Sequence, residues 1–299
     1  MGEGRIVRRT GPPKVIFKRL GELNHGHFSA MADNILSVTY TLNDALAIVS
    51  LHREPVNSMN TAVWTSLLST LDALESNPKV RGVVFTSTLK RNVFTAGNDL
   101  SELYPPSTSM SQFSNFWVTS NTFLARLYVS PLFTVATVKG ACPAGGCCMA
   151  MCCDYRLVTK DASMGLNEVA IGISVPPHWI ALMCSLVGQG RADKLTQYAK
   201  SVNAAEALKI GLVDEVVDAP ADLEGRALAL AREVFKLPDL GRGLTKSALR
   251  KSLGQAWGDK TELENEAHKM WEFLTREQTI KALKVVMARL SKPKGTAKI

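Results

Sequence analysis

"KGACPAGGCCMAMCCD", residues 139–154, lies between two apolar, β-branched runs, and its reading decides the fold. Gly140, Pro143, Gly145 and Gly146 are small loop formers, and from Cys147 to Cys153 only apolar side chains and cysteines follow. The pattern predicts a bare loop that leaves a buried strand and enters a helix through two glycines. Glycine lets a ligand approach the main chain closely, and the first N–H groups of a helix have no internal partner, so such an entrance attracts negative oxygen. A Gly-Gly pair before a helix is, however, more often a turn than an anion site.

On either side, "LFTVATV" (132–138) and "YRLVT" (155–159) read as strands. Upstream, "SVTYTL" and "ALAIVSL" around Asn43-Asp44 predict a hairpin. Val63, Leu67, Leu68, Leu71 and Leu74 recur at helical spacing, and the strand "VRGVVFTST" follows them. Downstream, residues 175–188 and 191–200 read as helices. Asn203, Glu206 and Gly211 give a third helix its cap, capping-box partner and stop. After Pro238 the strand signals end. Thr261 with Glu264, and Thr275 with Gln278, predict two further helix starts ahead of apolar stripes. Strands and helices alternate, so the fold class is α/β. The chain divides into a leader (1–33), a core (34–237) and a helical C-terminal region (238–299).

The 299 residues are 46% hydrophobic, enough for a substantial core, and no apolar run approaches the ~20 residues of a bilayer span. The formal charge is +8. Residues 1–24 hold six cations against two anions, and Lys292, Lys294 and Lys298 add three more, so +7 of the +8 sits at the ends. That distribution argues against a nucleic-acid face and fits solvated or targeting termini. The arginines of residues 1–33 suit a mitochondrial transit peptide, while the terminal "AKI" is a degenerate form of the peroxisomal address, which leaves peroxisome or glycosome as the alternative. Five of the six cysteines fall within residues 142–153. Neighbouring cysteines on one short helix pair poorly as disulfides, and they lack both CxxC spacing and a nearby histidine. They read as small buried hydrophobes, with no metal site.

Two more stretches carry chemistry. In "NVFTAGNDLSEL" (92–103), Ala96-Gly97 opens a second bare turn after a strand, and in "MGLNEVAIGI" (164–173), Glu168 stands among apolar neighbours. With "PVNSMN" (55–60), the order of these segments resembles the crotonase superfamily of enoyl-CoA hydratases and isomerases over residues 36–290, and most closely its Δ3,Δ2-enoyl-CoA isomerase branch. The resemblance implies a spiral of ββα units with a helical C-terminal region, and a homotrimer or hexamer. It implies an acyl-CoA thioester as substrate, coenzyme A being part of that substrate and no separate cofactor being needed.

It further implies that the main-chain N–H groups of Asn98 and Gly145 form an oxyanion hole, with Glu168 the catalytic acid-base. Val56, Ser58, Thr95, Ala96, Gly97, Pro143, Ala144 and Trp179 are implied as substrate-binding, with His178 beside Trp179 either lining the acyl pocket or packing. The first of the two glutamates that hydratases use would align with Cys148. A thiol cannot activate water as a paired carboxylate does, so the expected reaction moves the double bond of a 3-enoyl-CoA to the trans-2 position. Hydration, dienoyl-CoA isomerisation and RNA binding by a crotonase relative are the alternatives.

Overall fold

The computed structural model describes residues 17–19, 28–32 and 35–290. Two short strands, β1 (Phe17–Arg19) and β2 (Phe28–Ala32), fall within the expected leader and extend the main sheet antiparallel onto β3 (Leu36–Thr41). The rest of that leader and the terminal "AKI" lie outside the described residues. The expected hairpin joins β3 to β4 (Leu46–Leu51), with Leu42, Asn43 and Asp44 at φ of 54, 58 and 68° in its turn. Asn60 caps α1 (Thr61–Glu75) by accepting from the Val63 amide, and Val63, Leu67, Leu71 and Leu74 are buried as their spacing predicts.

Next come β5 (Gly82–Ser87), the one-turn helix α2 (Leu100–Leu103), α3 (Met110–Val129), β6 (Phe133–Val138), β7 (Ala141–Pro143), α4 (Ala144–Cys152), β8 (Tyr155–Thr159) and β9 (Ser163–Gly165). A 3-10 turn, Glu168–Ile171, leads to α5 (Pro177–Val187), α6 (Gln189–Gln197), β10 (Val202–Asn203), α7 (Ala204–Lys209), β11 (Glu215–Val217) and α8 (Pro220–Val234). The chain then holds α9 (Asp239–Trp257), α10 (Lys260–Leu274) and α11 (Glu277–Leu290).

The eight-stranded sheet runs β1-β2-β3-β4-β5-β6-β8-β11, parallel from β4 onward. All six residues of β6 are buried, as expected of a central parallel strand covered on both faces. Leu223, Ala227 and Ala231 of α8 cover one face, and α1, α3 and α4 belong to the larger core on the other. Within α4, every residue from Gly145 to Cys152 is buried, so the helix has no polar face. Its cysteines are free and enclosed, and no cluster able to hold a metal occurs among the described residues.

Two helix starts differ from expectation. Asp259, not Thr261, caps α10, accepting from the Thr261 and Glu262 amides. Thr275 closes α10 instead of opening α11, its hydroxyl donating back to the Trp271 carbonyl. The C-terminal helices are tied to the core through polar contacts. Lys246 of α9 donates to the Leu132 carbonyl and Asp154, and Arg250 to the Tyr128 and Cys152 carbonyls. Near the far end, α11 packs on the Glu168 turn, where a Cβ on Gly172 (φ +80°) would stand 2.9 Å from Ala282.

Candidate active site

The segments singled out in the sequence converge because each follows the carboxyl end of a parallel strand. Residues 52–60 leave β4, residues 88–99 leave β5, residues 139–146 leave β6, and β8 leads through β9 to Glu168. Ligands of open α/β sheets bind at this end. Main-chain bonds knit the loops together. The Met59 amide donates to the Gly97 carbonyl (2.9 Å), the Asp99 amide to the Met59 carbonyl (3.1 Å), and the Phe94 amide to the Ala141 carbonyl (3.0 Å). Asn57, at φ +52°, donates from its side chain to Ser87 Oγ and to the Phe94 carbonyl.

This lacing leaves two donors over. Between the paired amides of Gly97 and Asp99, the Asn98 N–H has no acceptor among the described residues. Gly145 occupies the first turn of α4, whose cap, Pro143, offers no side-chain bond, and its N–H is likewise unpaired among the described residues. The two residues touch, since a Cβ on Gly145 would stand 2.6 Å from Asn98 Oδ1. A Cβ on Gly97 (φ +85°) would stand 3.1 Å from both the Ala144 methyl and the Pro143 carbonyl oxygen. Ala144 itself takes φ +52°, a left-handed conformation that costs an L-residue energy and turns the chain into α4. Two free main-chain donors on adjoining loops, one at a helix N-terminus, form a pair suited to an oxyanion.

Glu168 is only 4% exposed, and both carboxylate oxygens are buried without a hydrogen-bond partner among the described residues. Burial pushes its carboxyl up to about 7, while its own main-chain N–H pulls the other way. No other acidic group among the described residues contributes to that shift. The Glu168 charge in turn raises the thiols of Cys147 and Cys148, after burial itself, which places the carboxylate beside α4 just past Gly145. Both thiols are pushed upward, so neither is an available nucleophile.

The structure distributes the expected substrate-binding residues unevenly. Ala96 is exposed, and Val56, Ser58, Pro143 and Ala144 are partly so, around the two donors. Thr95 differs from expectation. It is fully enclosed, its hydroxyl donating to the Asn57 carbonyl (2.6 Å) and accepting from the Gly97 amide (3.0 Å), so it frames the loop from inside. Trp179 is also a core residue, 2% exposed, with its indole N–H on Asn121 Oδ1 (3.1 Å). Neighbouring His178 stacks on Trp257 and lies 3.2 Å from Glu266.

Sequence reasoning passes over Arg53 and Trp64. Arg53 bonds the Ser58 carbonyl and Asp99, and Trp64 donates to the Asn98 side chain. An open groove of about 540 Å³ beside α9, walled by Leu237, Arg242, Leu249 and Arg250, includes none of the residues expected to bind substrate.

Known proteins bear on this geometry. The family described as enoyl-CoA hydratase/isomerase matches residues 41–286. The mitochondrial enoyl-CoA delta isomerase 1 of Rattus norvegicus is 35% identical over 256 residues, covering 84% of this chain and 85% of that protein. The crystal structure of human mitochondrial delta3-delta2-enoyl-CoA isomerase superposes with a TM-score of 0.82 at 31% identity, over 87% of this chain and 99% of that one. An enoyl-CoA hydratase from Bacillus halodurans shares the fold, with a TM-score of 0.75 at 22% identity over 83% and 99% of the two chains.

Proposed function

This chain belongs to the enoyl-CoA hydratase/isomerase family, and from that premise we propose that it converts 3-enoyl-CoA thioesters to trans-2-enoyl-CoA. The thioester carbonyl oxygen accepts from the N–H groups of Asn98 and Gly145. Glu168 removes a proton from C2, and the electron pair of the broken C–H bond becomes a dienolate whose charge rests on that oxygen. The same carboxyl, now protonated, delivers its proton to C4. The double bond then lies between C2 and C3, and no proton is gained or lost overall. Each pre-aligned donor is worth about 3 kcal/mol at the transition state, because no reorganisation accompanies the developing charge.

The observation that carries this reading is the state of Glu168. A carboxyl raised to about 7 is poised both to take and to return a proton near neutral pH. Among the described residues no second carboxylate acts on it, and with thiols at Cys147 and Cys148 this supports a site without the paired acids that adding water requires. The test is to incubate the protein and Glu168→Gln with 3-hexenoyl-CoA, following conjugation and 3-hydroxyacyl-CoA separately. Conjugated product without hydration, reduced by several orders of magnitude in the variant, is expected. Near-normal turnover by Glu168→Gln overturns the assignment.

Coenzyme A enters as part of the substrate, against the exposed and half-buried loop residues Val56, Ser58, Ala96, Pro143 and Ala144, with Gly97 buried beneath them. A mitochondrial location is supported by the mitochondrial names of the relatives. The C-terminal helices are assigned to assembly into a homotrimer or hexamer. Leu240, Leu244 and Leu249 of α9 are 76, 63 and 80% exposed beside the 540 Å³ groove, a surface suited to a second copy of the chain.

A further inference from the structure

Asn98 brings a side chain to the site as well as an amide. Trp64 of α1 is 0% exposed, its ring packed 5.7 Å from Phe123, and its Nε1 lies 3.2 Å from Asn98 Oδ1. An indole N–H only donates, so Oδ1 must face it, and the Asn98 amide is held in one orientation. That amide also approaches Gly145 closely. A Cβ there would meet Oδ1 at 2.6 Å, Cγ at 3.1 Å and Nδ2 at 3.3 Å. One side chain is thus wedged between a buried indole and the residue that carries the second donor. The remaining bonds of this loop hold it to Met59, through Asp99 to Arg53, and through the Phe94 and Thr95 amides to the Ala141 carbonyl in β7, but none reaches Gly145 itself.

We propose that Trp64 and the Asn98 side chain form a positioning pair that fixes the spacing between the two main-chain donors of the oxyanion hole. Neither side chain touches the reacting atoms. Their effect is to keep both N–H groups aimed at one oxygen position, where a misplacement of about 1 Å can cost about a hundredfold in rate. The inference rests on the isomerase reading for its turnover assay only.

The experiment compares Trp64→Phe, which keeps an aromatic ring, smaller than indole, and loses the donor, with Asn98→Leu, which keeps the main-chain N–H and loses the acceptor. The double variant completes the cycle. With 3-hexenoyl-CoA, each single variant should lower kcat about tenfold with KM within about twofold, and the double variant should fall no further than the worse single. Acetoacetyl-CoA gives a second reading that needs no isomerisation. The ultraviolet absorbance of its bound enolate at fixed pH reports how well the donors hold a negative oxygen, and it should drop in all three variants.

A folded Trp64→Phe with kcat and enolate fraction within about twofold of the parent protein overturns the pair, as does a double variant whose loss is the product of the singles. Asn98→Leu carries the test if Trp64→Phe melts. An enolate signal that depends on Trp64 in a protein that does not isomerise 3-hexenoyl-CoA sustains the pair and refutes the isomerase reading.

Discussion

Replacing Glu168 with glutamine should make the protein less sensitive to alkaline pH while abolishing its chemistry. The carboxyl titrates near 4.5 when unfolded and at about 7 in the native state, so between these values the native state binds the extra proton. Stability contributed by the neutral, buried form is full below about pH 4.5 and is lost as pH rises through about 7. Linkage over a window from about pH 5 to about pH 8.5 gives a loss of about 2.5 kcal/mol from this one group. Glutamine cannot ionise, so that loss should be missing from Glu168→Gln. Any cost of burying an unpaired amide is independent of pH and cancels in the comparison. Urea denaturation of both proteins at the two pH values, at one fixed protomer concentration, measures the difference directly. A change in ΔΔG below about 0.5 kcal/mol across the window would refute the claim that burial holds this carboxyl neutral.

The same ionisation governs catalysis. For the forward reaction kcat/KM should rise with an apparent midpoint near 7 and level off above it, because the free enzyme must begin with Glu168 as a base; a flat profile from pH 5 to 8 would remove Glu168 from the proton transfer. The two glycines that open α4 should separate function from stability. Gly145→Ala pushes a methyl against Asn98 Oδ1 and should lower kcat about a hundredfold in a folded protein. In Gly146→Ala the methyl would stand 2.0 Å from Thr95 Cγ2 and should destabilise the fold by about 1–3 kcal/mol, read by urea denaturation. Leu240→Asp with Leu244→Asp, one turn apart on the exposed face of α9, should reduce the assembly to smaller species in analytical ultracentrifugation.

The parallel strands β4, β5, β6 and β8 were legible because burial on both faces demands continuous apolar, β-branched runs, as in "FTVATV" of β6, whereas the three-residue parallel strand β11 is only half-buried and carries no such run. The longest helix, α3, went unread. Its buried positions Phe113, Phe116, Trp117, Ser120, Phe123, Leu124 and Leu127 follow the helical period, but serine, threonine and asparagine between and among them blur the stripe. The capping box that Ser109 and Gln112 form is the signal that would have located its start. Strands β7, β9 and β10 are two or three residues long, too short for any periodicity to show. The misplaced start of α10 has a plain cause. Asp259 stands two residues ahead of Thr261 and is the better cap, since its carboxylate accepts from two free amides at once.

Within the site, what could be read was what the backbone requires locally. A chain that must present unpaired N–H groups at the end of a strand needs residues that tolerate left-handed φ and close approach, and Gly97 and Gly145 announce that need in sequence. Glu168 is legible for a similar reason, since a lone carboxylate among Leu166, Val169 and Ile171 is costly to bury without a role. The couplings between segments carry no such local mark. Trp64 meets Asn98 across 34 residues and Arg53 meets Asp99 across 46, and each would serve as well in an ordinary helix or loop. Trp64 sits beside Val63 on the buried face of α1, where an aromatic ring is explained by packing alone. Only the folded chain, by bringing that ring's N–H to Asn98, shows that the same residue faces the core with its carbons and the oxyanion loop with its nitrogen.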